Sequence, residues 1–281
     1  MNYQNSFQNT RSTLYLVATP IGNLSDITLR AIETLEQVDT ILAEDTRVSS
    51  KLLNYYKIKK PLISYHEFNK TAKIPEILKL LSEGQSLALI TDAGTPAISD
   101  PGYEVAKAVV AANFNVVAIP GASAILTALV SSALIPQPFS FLGFLPRKKS
   151  EVIRSLEPFK SLNHTLVIYE APKRIKETIQ LLTEVFTDRP VAVIKELTKK
   201  FETIIRTNLK QLTEFEFDER GEYVIVVEGN HTASNNLEHL SIDQHVMHYL
   251  KNGMNEKEAL KMVAKDRKTT KSEIYKIYKI K

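Results

Sequence analysis

Cysteine is missing from the whole 281-residue chain, which excludes disulfides, thiolate zinc sites and cysteine nucleophiles together. A reducing, cytoplasmic setting fits that absence. No window approaches the roughly 18 unbroken apolar residues that a membrane helix needs, so no membrane association is expected. The opening MNYQNSFQNTRST has no basic segment followed by an apolar one. It does not read as a signal peptide, and residues 1–12 are expected to form a disordered lead-in. The three closely spaced glycines of the dinucleotide fingerprint are absent, and so is any P-loop, which sets aside nicotinamide and nucleoside-triphosphate chemistry. The letters GTP in DAGTP are a coincidence of the one-letter code. Repeats and low-complexity tracts are also absent.

What is present is the balance of a folded globular protein, with 43% hydrophobic and 24% charged residues. The net charge of +4 is unevenly spread: residues 241–281 hold 10 Lys and Arg against 5 Asp and Glu, which leaves the first 240 residues at −1. A basic excess of this kind draws in polyanions, although a lysine-rich solvated helical face is the plainer reading.

From Thr13 onward, short apolar runs alternate with helical periodicities. TLYLVATP, TILAED, PLISYH, SLALIT and NVVAIPG read as five strands, separated by helices over SDITLRAIETLEQV, VSSKLLNYY, IPEILKLLSEG and YEVAKAVVAANF. Ser25 or Asp26 is placed to cap the first helix, whose Ile27, Ala31, Ile32, Leu35 and Val38 share a face. Apolar strands without polar alternation indicate a parallel sheet covered on both sides. After Gly121 a helix and a proline-marked break lead to FSFLGF, HTLVIYEA, PVAVIKELT, FETIIRT and EYVIVVEG, in which strands follow one another with fewer helices. A second, mixed sheet is expected there. The organisation is therefore an α/β domain over 13–121, a second α/β domain over 122–232 and a basic helical extension over 233–281, with NHTASNNLE as a linker.

Ligands of open parallel sheets bind beyond the carboxyl ends of the strands. Those positions carry ATPIGNLSD, EDTR, HEFN, DAGTPAISDPG and PGASA, loops of Gly, Pro, Ser, Thr and Asp that suit a small polar ligand. In the fourth loop, Asp100 and Pro101 are explained as the cap and first turn of the next helix, but TDAGTPAIS has too many conformational specialists for a simple turn.

LVATPIGNLSDIT, AEDTR, YHEFN, DAGTPAISDPG, PGASA, FLGFLPRK, YEAPKR and ELTKKFE, in this order over about residues 13–230, resemble the motifs of the tetrapyrrole methylase superfamily. Within it they resemble the bacterial branch that methylates a cytidine 2′-hydroxyl in the decoding region of small-subunit ribosomal RNA. The resemblance implies S-adenosylmethionine as methyl donor, bound in a cleft between two α/β domains, a homodimer, and a helix-turn-helix-like tail. It places Pro20, Asp92, Ala93, Gly94, Thr95, Ile98, Ser123, Ala124, Ala171 and Leu197 at the donor, while Ser123 is equally a good helix N-cap. One departure stands out: the branch usually reads EAPHR, and here Lys173 replaces the histidine.

A ribose hydroxyl needs its proton accepted or its oxyanion stabilised. Asp45 and Arg47, with Glu44 beside them, His66 and Glu67, Asp100, and Glu196 with Lys199 all lie on the same rim and stay unranked. Asp45 and Arg47 pairing with each other is as good a reading, and HEFN is not a zinc-protease HExxH, so no metal is expected. For RNA or the small ribosomal subunit as partner, Arg147, Lys148, Lys149 and Arg154 lie near Phe139, Phe141 and Phe144, and Lys173, Arg174 and Lys176 follow. FSFLGF taken alone places those phenylalanines in the core. Two other readings remain open: the same fold and donor with a tetrapyrrole or other small-molecule acceptor, and a non-catalytic RNA-binding or assembly protein.

Overall fold

The computed structural model describes residues 3–6, 8–9, 11–231, 237 and 240–279. Five strands, β1 (Thr13–Val17), β2 (Thr40–Ala43), β3 (Leu62–Ser64), β4 (Leu87–Ile90) and β5 (Asn115–Ile119), form an all-parallel sheet in the order β3-β2-β4-β1-β5. Its strands are apolar on both faces because both are covered. Val17, Ile41, Ala88 and Ile90 pack with α1 (Leu29–Gln37) and α2 (Thr46–Tyr55), and Leu14, Leu42, Leu87 and Leu89 pack with α3 (Lys70–Ser82) and α4 (Tyr103–Ala111).

The second sheet runs β6-β7-β10-β8-β9, built from β6 (Phe139–Phe144), β7 (Thr165–Glu170), β8 (Pro190–Lys195), β9 (Thr203–Asn208) and β10 (Tyr223–Val227). It is mixed: β6 and β7 are parallel, while β10 is antiparallel to β7 and β8, and β9 is antiparallel to β8. Strand periodicity divides its side chains between two cores. Leu166, Ile168, Val191, Val193 and Ile225 meet α6 (Lys149–Leu156), α7 (Ile175–Phe186) and α8 (Leu209–Leu212). Val167, Ala192, Ile194 and Val226 meet α5 (Ala124–Ser131).

Three helices, Ile242–Lys251, Glu256–Asp266 and Lys271–Lys279, close around Val246, Leu260, Val263 and Ile274. The stretch expected as a linker lies largely outside the described residues. Among the described residues no helix is long and apolar enough to cross a membrane.

Local differences from expectation have identifiable causes. The first expected helix is divided: Leu24–Asp26 is a 3-10 turn capped by Asn23, and α1 is capped by Thr28, whose hydroxyl accepts the Ala31 amide at 3.1 Å. Neither Ser25 nor Asp26 caps it. The lead-in is held in part: Gln4 pairs with the exposed edge of β5, donating to the Val116 carbonyl at 2.9 Å and accepting the Val116 amide at 3.1 Å. An edge strand leaves such backbone groups open for pairing.

Candidate functional site

The parallel sheet gathers its loops at one edge, and they are stitched together. Thr19 and Gly94 exchange backbone hydrogen bonds of 2.9 and 3.1 Å, and the Thr19 hydroxyl donates to the Thr91 carbonyl at 3.1 Å. Gly94 holds a φ of 79°, a left-handed conformation that a side chain disfavours. The Thr95 hydroxyl reaches the Ala122 carbonyl at 3.5 Å, which joins the fourth loop to the fifth. From the first loop, Ile21 packs into the inner core of the second sheet beside Ile125 and Leu134. The two sheets are thereby coupled at a cleft.

Around this cleft, three non-glycine residues adopt left-handed φ values: Ala97 at 68°, Glu196 at 53° and Thr198 at 66°. Such strain concentrates where the surrounding structure overdetermines the backbone for function. Leu197, between the last two, is buried. Ser123 caps α5 by accepting the Leu126 amide at 3.5 Å, with Ala124 in the first turn. Ala171 follows β7 directly and is half-buried, whereas Ile98 leaves 58% of its surface uncovered.

The acidic side chains fall into two classes. Glu44, at the end of β2, has its pKa raised by burial and then by Asp100 and Asp92; Asp92 and Asp100 are raised by burial and by neighbouring carboxylates. They form one negative cluster. Tyr169 of β7 faces it, its hydroxyl held at about 12 by burial and by Asp100. Asp100 is therefore not a helix cap, and Pro101 is not in the first turn: Gly102 takes the cap position of α4, which begins at Tyr103, and the nearby Thr91 hydroxyl partly offsets the rise in the Asp100 pKa.

Asp45, Glu67 and Glu196 are committed elsewhere. Asp45 caps α2 through the Arg47 amide at 2.8 Å and pairs with the Arg47 guanidinium at 2.6 Å, which holds its carboxyl well below the usual range. Glu67 pairs with Lys70 at 2.8 Å. Lys199 lies between Glu196 at 2.9 Å and Glu222 at 3.0 Å; burial, which lowers its pKa, is outweighed by these two carboxylates. His66 stays near the cluster, and its buried Nδ1 has no hydrogen-bond partner among the described residues.

Beside the cluster opens a cavity of about 410 Å³, between the first loop, α2, the end of β4 and the Lys199–Glu222 pair. Of the residues placed at the donor by sequence, Pro20, Asp92 and Ala93 line it. Gly94, Thr95, Ile98, Ser123, Ala124, Ala171 and Leu197 lie outside its lining. The α2 wall, Val48, Ser49, Lys51, Leu52 and Tyr55, went unnoticed in the sequence. Its signal was a second apolar stripe, Val48, Leu52 and Tyr55 at helical spacing, beside the core-facing Leu53. Among the described residues no group of three or more His, Cys, Asp or Glu is placed to hold a metal ion.

On the outer face, Arg147 and Lys173 are exposed, whereas Lys148 and Lys149 pair with Glu151 at 3.3 Å and Glu184 at 2.9 Å. Arg174 does not offer a free cation. Its guanidinium donates to the Leu145 and Pro146 carbonyls at 3.1 and 2.7 Å and thereby fixes the loop that carries Arg147. Phe144 is 60% exposed with its ring edge-on to Tyr169 at 5.7 Å, while Phe141 is half-buried against the inner core. The core reading of these phenylalanines holds for Phe141 alone: Phe139, at the start of β6, is exposed, and Phe144 follows a register shift between Phe141 and Gly143 that interrupts the strand alternation.

Residues 13–213 match the family described as Tetrapyrrole (Corrin/Porphyrin) Methylases. A Bacillus subtilis protein named ribosomal RNA small subunit methyltransferase I is 46% identical, over 95% of this chain and 94% of that protein. The protein of the same name from Halalkalibacterium halodurans is 44% identical over 99% of both. Among solved structures, uroporphyrin-III-C-methyltransferase from Thermus thermophilus superposes with a TM-score of 0.56 at 20% identity, covering 78% of this chain and 94% of that one. Diphthine synthase superposes with a TM-score of 0.57 at 13% identity, covering 77% and 89%. These two likenesses concern the fold alone. The stitched strand-end loops, the paired parallel and mixed sheets and the near full-length relatives agree, and the chain belongs to the tetrapyrrole methylase family.

Proposed function

We propose that the protein is an S-adenosylmethionine-dependent methyltransferase that acts on small-subunit ribosomal RNA, at the 2′-hydroxyl of a cytidine in the decoding region. The observation that carries this reading is the match to relatives named ribosomal RNA small subunit methyltransferase I through almost the entire chain. When bound, the donor supplies an electrophilic methyl on a sulfonium cation.

The residues fit that group. A cationic sulfonium is favoured beside the Glu44, Asp92 and Asp100 cluster, and the exposed Ile98 offers apolar surface for the rest of the donor. Pro20, Asp92, Ala93, Gly94 and Thr95 on one side and Ser123, Ala124, Ala171 and Leu197 on the other would hold it. In-line transfer depends chiefly on alignment, which the Thr19–Gly94 and Thr95–Ala122 bonds supply by fixing the loops before binding. The acceptor's proton goes to the Glu44 and Asp100 carboxylates, which remain uncommitted to cations, in contrast to Asp45, Glu67 and Glu196. Arg147, Lys173 and the exposed Phe144 supply contacts to RNA. The uncovered Leu126 and Val130 of α5 support a homodimer.

The test is transfer of tritium from labelled S-adenosylmethionine to small subunits that lack the modification, followed by nucleoside analysis. Labelled 2′-O-methylcytidine is the expected product. Label in another nucleoside, or no label with donor binding intact by calorimetry, would overturn the reading.

A further inference from the structure

We propose that the cavity walled by α2 receives the acceptor nucleotide, turned out of its stack with its base against Tyr55; the proposal rests on the methyl-transfer reading above. At about 410 Å³ the cavity is of a size for one nucleotide. Its walls are chemically divided. Leu24, Val48, Leu52 and Tyr55 are apolar or aromatic and suit the faces of a base. Tyr55 is 63% exposed, and its ring is braced edge-on by Tyr56 at 4.9 Å. Tyr56 is itself tied to the first loop, donating to the Leu24 carbonyl at 2.5 Å. A stacking platform at the mouth is therefore held in place, and unpaired bases are commonly gripped on such aromatics.

The floor carries the second observation. Ser49 is only 2% exposed, lines the cavity, and its hydroxyl has no hydrogen-bond partner among the described residues. A buried hydroxyl without a partner is costly, and rotation of the Ser49 side chain toward the cavity would give it one on the edge of a base. Exposed Lys51 stands on the same wall for the phosphate. Pro20, Asp92 and Ala93 belong both to this lining and to the donor-side loops. A nucleotide in the cavity thus presents its ribose across that shared border, toward the donor and the carboxylate cluster. The donor itself is the poorer occupant, because most residues expected to hold it lie outside the lining.

The experiment uses the full chain with S-adenosylmethionine present and cytidine 5′-monophosphate as probe, read by saturation-transfer NMR, beside methylation kinetics on small subunits. Saturation should reach the base and ribose protons of the nucleotide, weaken in Tyr55→Ala and persist in Tyr55→Phe. Base stacking on an aromatic corresponds to about 5- to 150-fold in affinity, and kcat/KM of Tyr55→Ala for small subunits should fall by an amount in that range through KM. Donor affinity should not change. The proposal is overturned by a wild-type protein that gives no transfer to the nucleotide, by Tyr55→Ala with unchanged nucleotide contact and kcat/KM, or by a fall in donor affinity, which would assign the cavity to the donor. A wild type that contacts the nucleotide but methylates no ribosomal RNA would support the pocket and remove the ribosomal reading alone.

Discussion

The side chain of Lys199 lies across Gly22, so that a Cβ placed on the glycine would sit 2.6 Å from Lys199 Cγ. The contact joins the first loop of the parallel sheet to the strained loop after β8, and Gly22 adds a φ of 149° that L-residues rarely adopt. Gly22→Ala must therefore push Lys199 away from Glu196 and Glu222 as well as strain the backbone. A loss of about 1–3 kcal/mol in stability is expected, together with a lower kcat/KM because both loops border the cleft. Chemical denaturation and steady-state kinetics check this; wild-type kinetics in the variant would show that the loop contact has no part in transfer.

Ser123 caps α5 and is proposed to border the donor, and substitution separates the two. Its hydroxyl caps α5, and removal by Ser123→Ala should lower stability by about 0.5–2 kcal/mol. Donor affinity in that variant should remain within a few-fold of wild type, since no bulk enters the cleft. Ser123→Leu loses the same cap and also fills space, so it should abolish donor binding with a folded circular dichroism spectrum. Calorimetry that finds the donor still bound to Ser123→Leu would move the donor away from α5.

Much of this arrangement is legible in the sequence, and the exceptions have physical causes. LALI and TILA read as parallel strands because burial on both faces leaves an unbroken apolar run, and the Gly- and Pro-rich loops after them mark the ligand edge. Asp100 was misread because capping depends on where the backbone enters the helix. The loop turns at Ala97 with a φ of 68°, which delays α4 to Tyr103. Arg174 looks like a free cation in sequence, yet its carbonyl partners lie 28 and 29 residues earlier, a pairing only tertiary structure creates. The stripe Val48, Leu52 and Tyr55 resembles any core face, and only packing shows that it borders a cavity.

For the carboxylate cluster the expectation concerns activity and stability together. The folded-state pKa of Asp100 is raised by burial and by Asp92, so the folded protein holds its proton more tightly than the unfolded chain. Stability from this group is present below the ordinary aspartate range and is lost as pH rises through the raised folded value. At neutral pH the cluster is destabilising. Asp100→Asn should raise the Tm at pH 7 relative to wild type, while methyl transfer falls by about 10²- to 10⁴-fold if Asp100 shares in taking the proton. Glu44→Gln should behave alike. Full activity in both variants would remove the cluster from proton transfer.

RNA contact through the outer face predicts a salt signature. Each phosphate contact made by Arg147 or Lys173 adds to the slope of binding against salt concentration. The double variant Arg147→Ala, Lys173→Ala should bind small subunits more weakly and with a shallower slope, at unchanged donor affinity. Arg174→Ala should do more damage, because it releases the Leu145 and Pro146 carbonyls and with them the loop. Filter binding across a salt series distinguishes the two effects; identical slopes in wild type and double variant would place the RNA elsewhere.

In the C-terminal helices, His245 is fully buried, with Arg267 Nε donating to its Nδ1 at 3.1 Å and its Nε2 3.1 Å from Asp266. Because Nδ1 accepts, the ring is neutral, and its proton is on Nε2, facing the Asp266 carboxylate that Tyr249 also donates to. Its pKa is lowered from 6.5, first by burial and also by Arg267, against the opposing pull of Asp266. The unfolded chain therefore binds more protons here than the folded one. This contribution to stability is present above about pH 6.5 and is lost as pH falls from there through the lowered folded value. Hydrogen exchange of the helices Ile242–Lys251 and Glu256–Asp266 should accelerate, relative to the two sheets, as the medium is acidified across that interval. His245→Gln should flatten the difference, since glutamine has no proton to gain. Equal acid sensitivity in wild type and variant would show that the helices are held by their apolar contacts around Val246 and Leu260 alone, with the buried ring contributing nothing to their pH response.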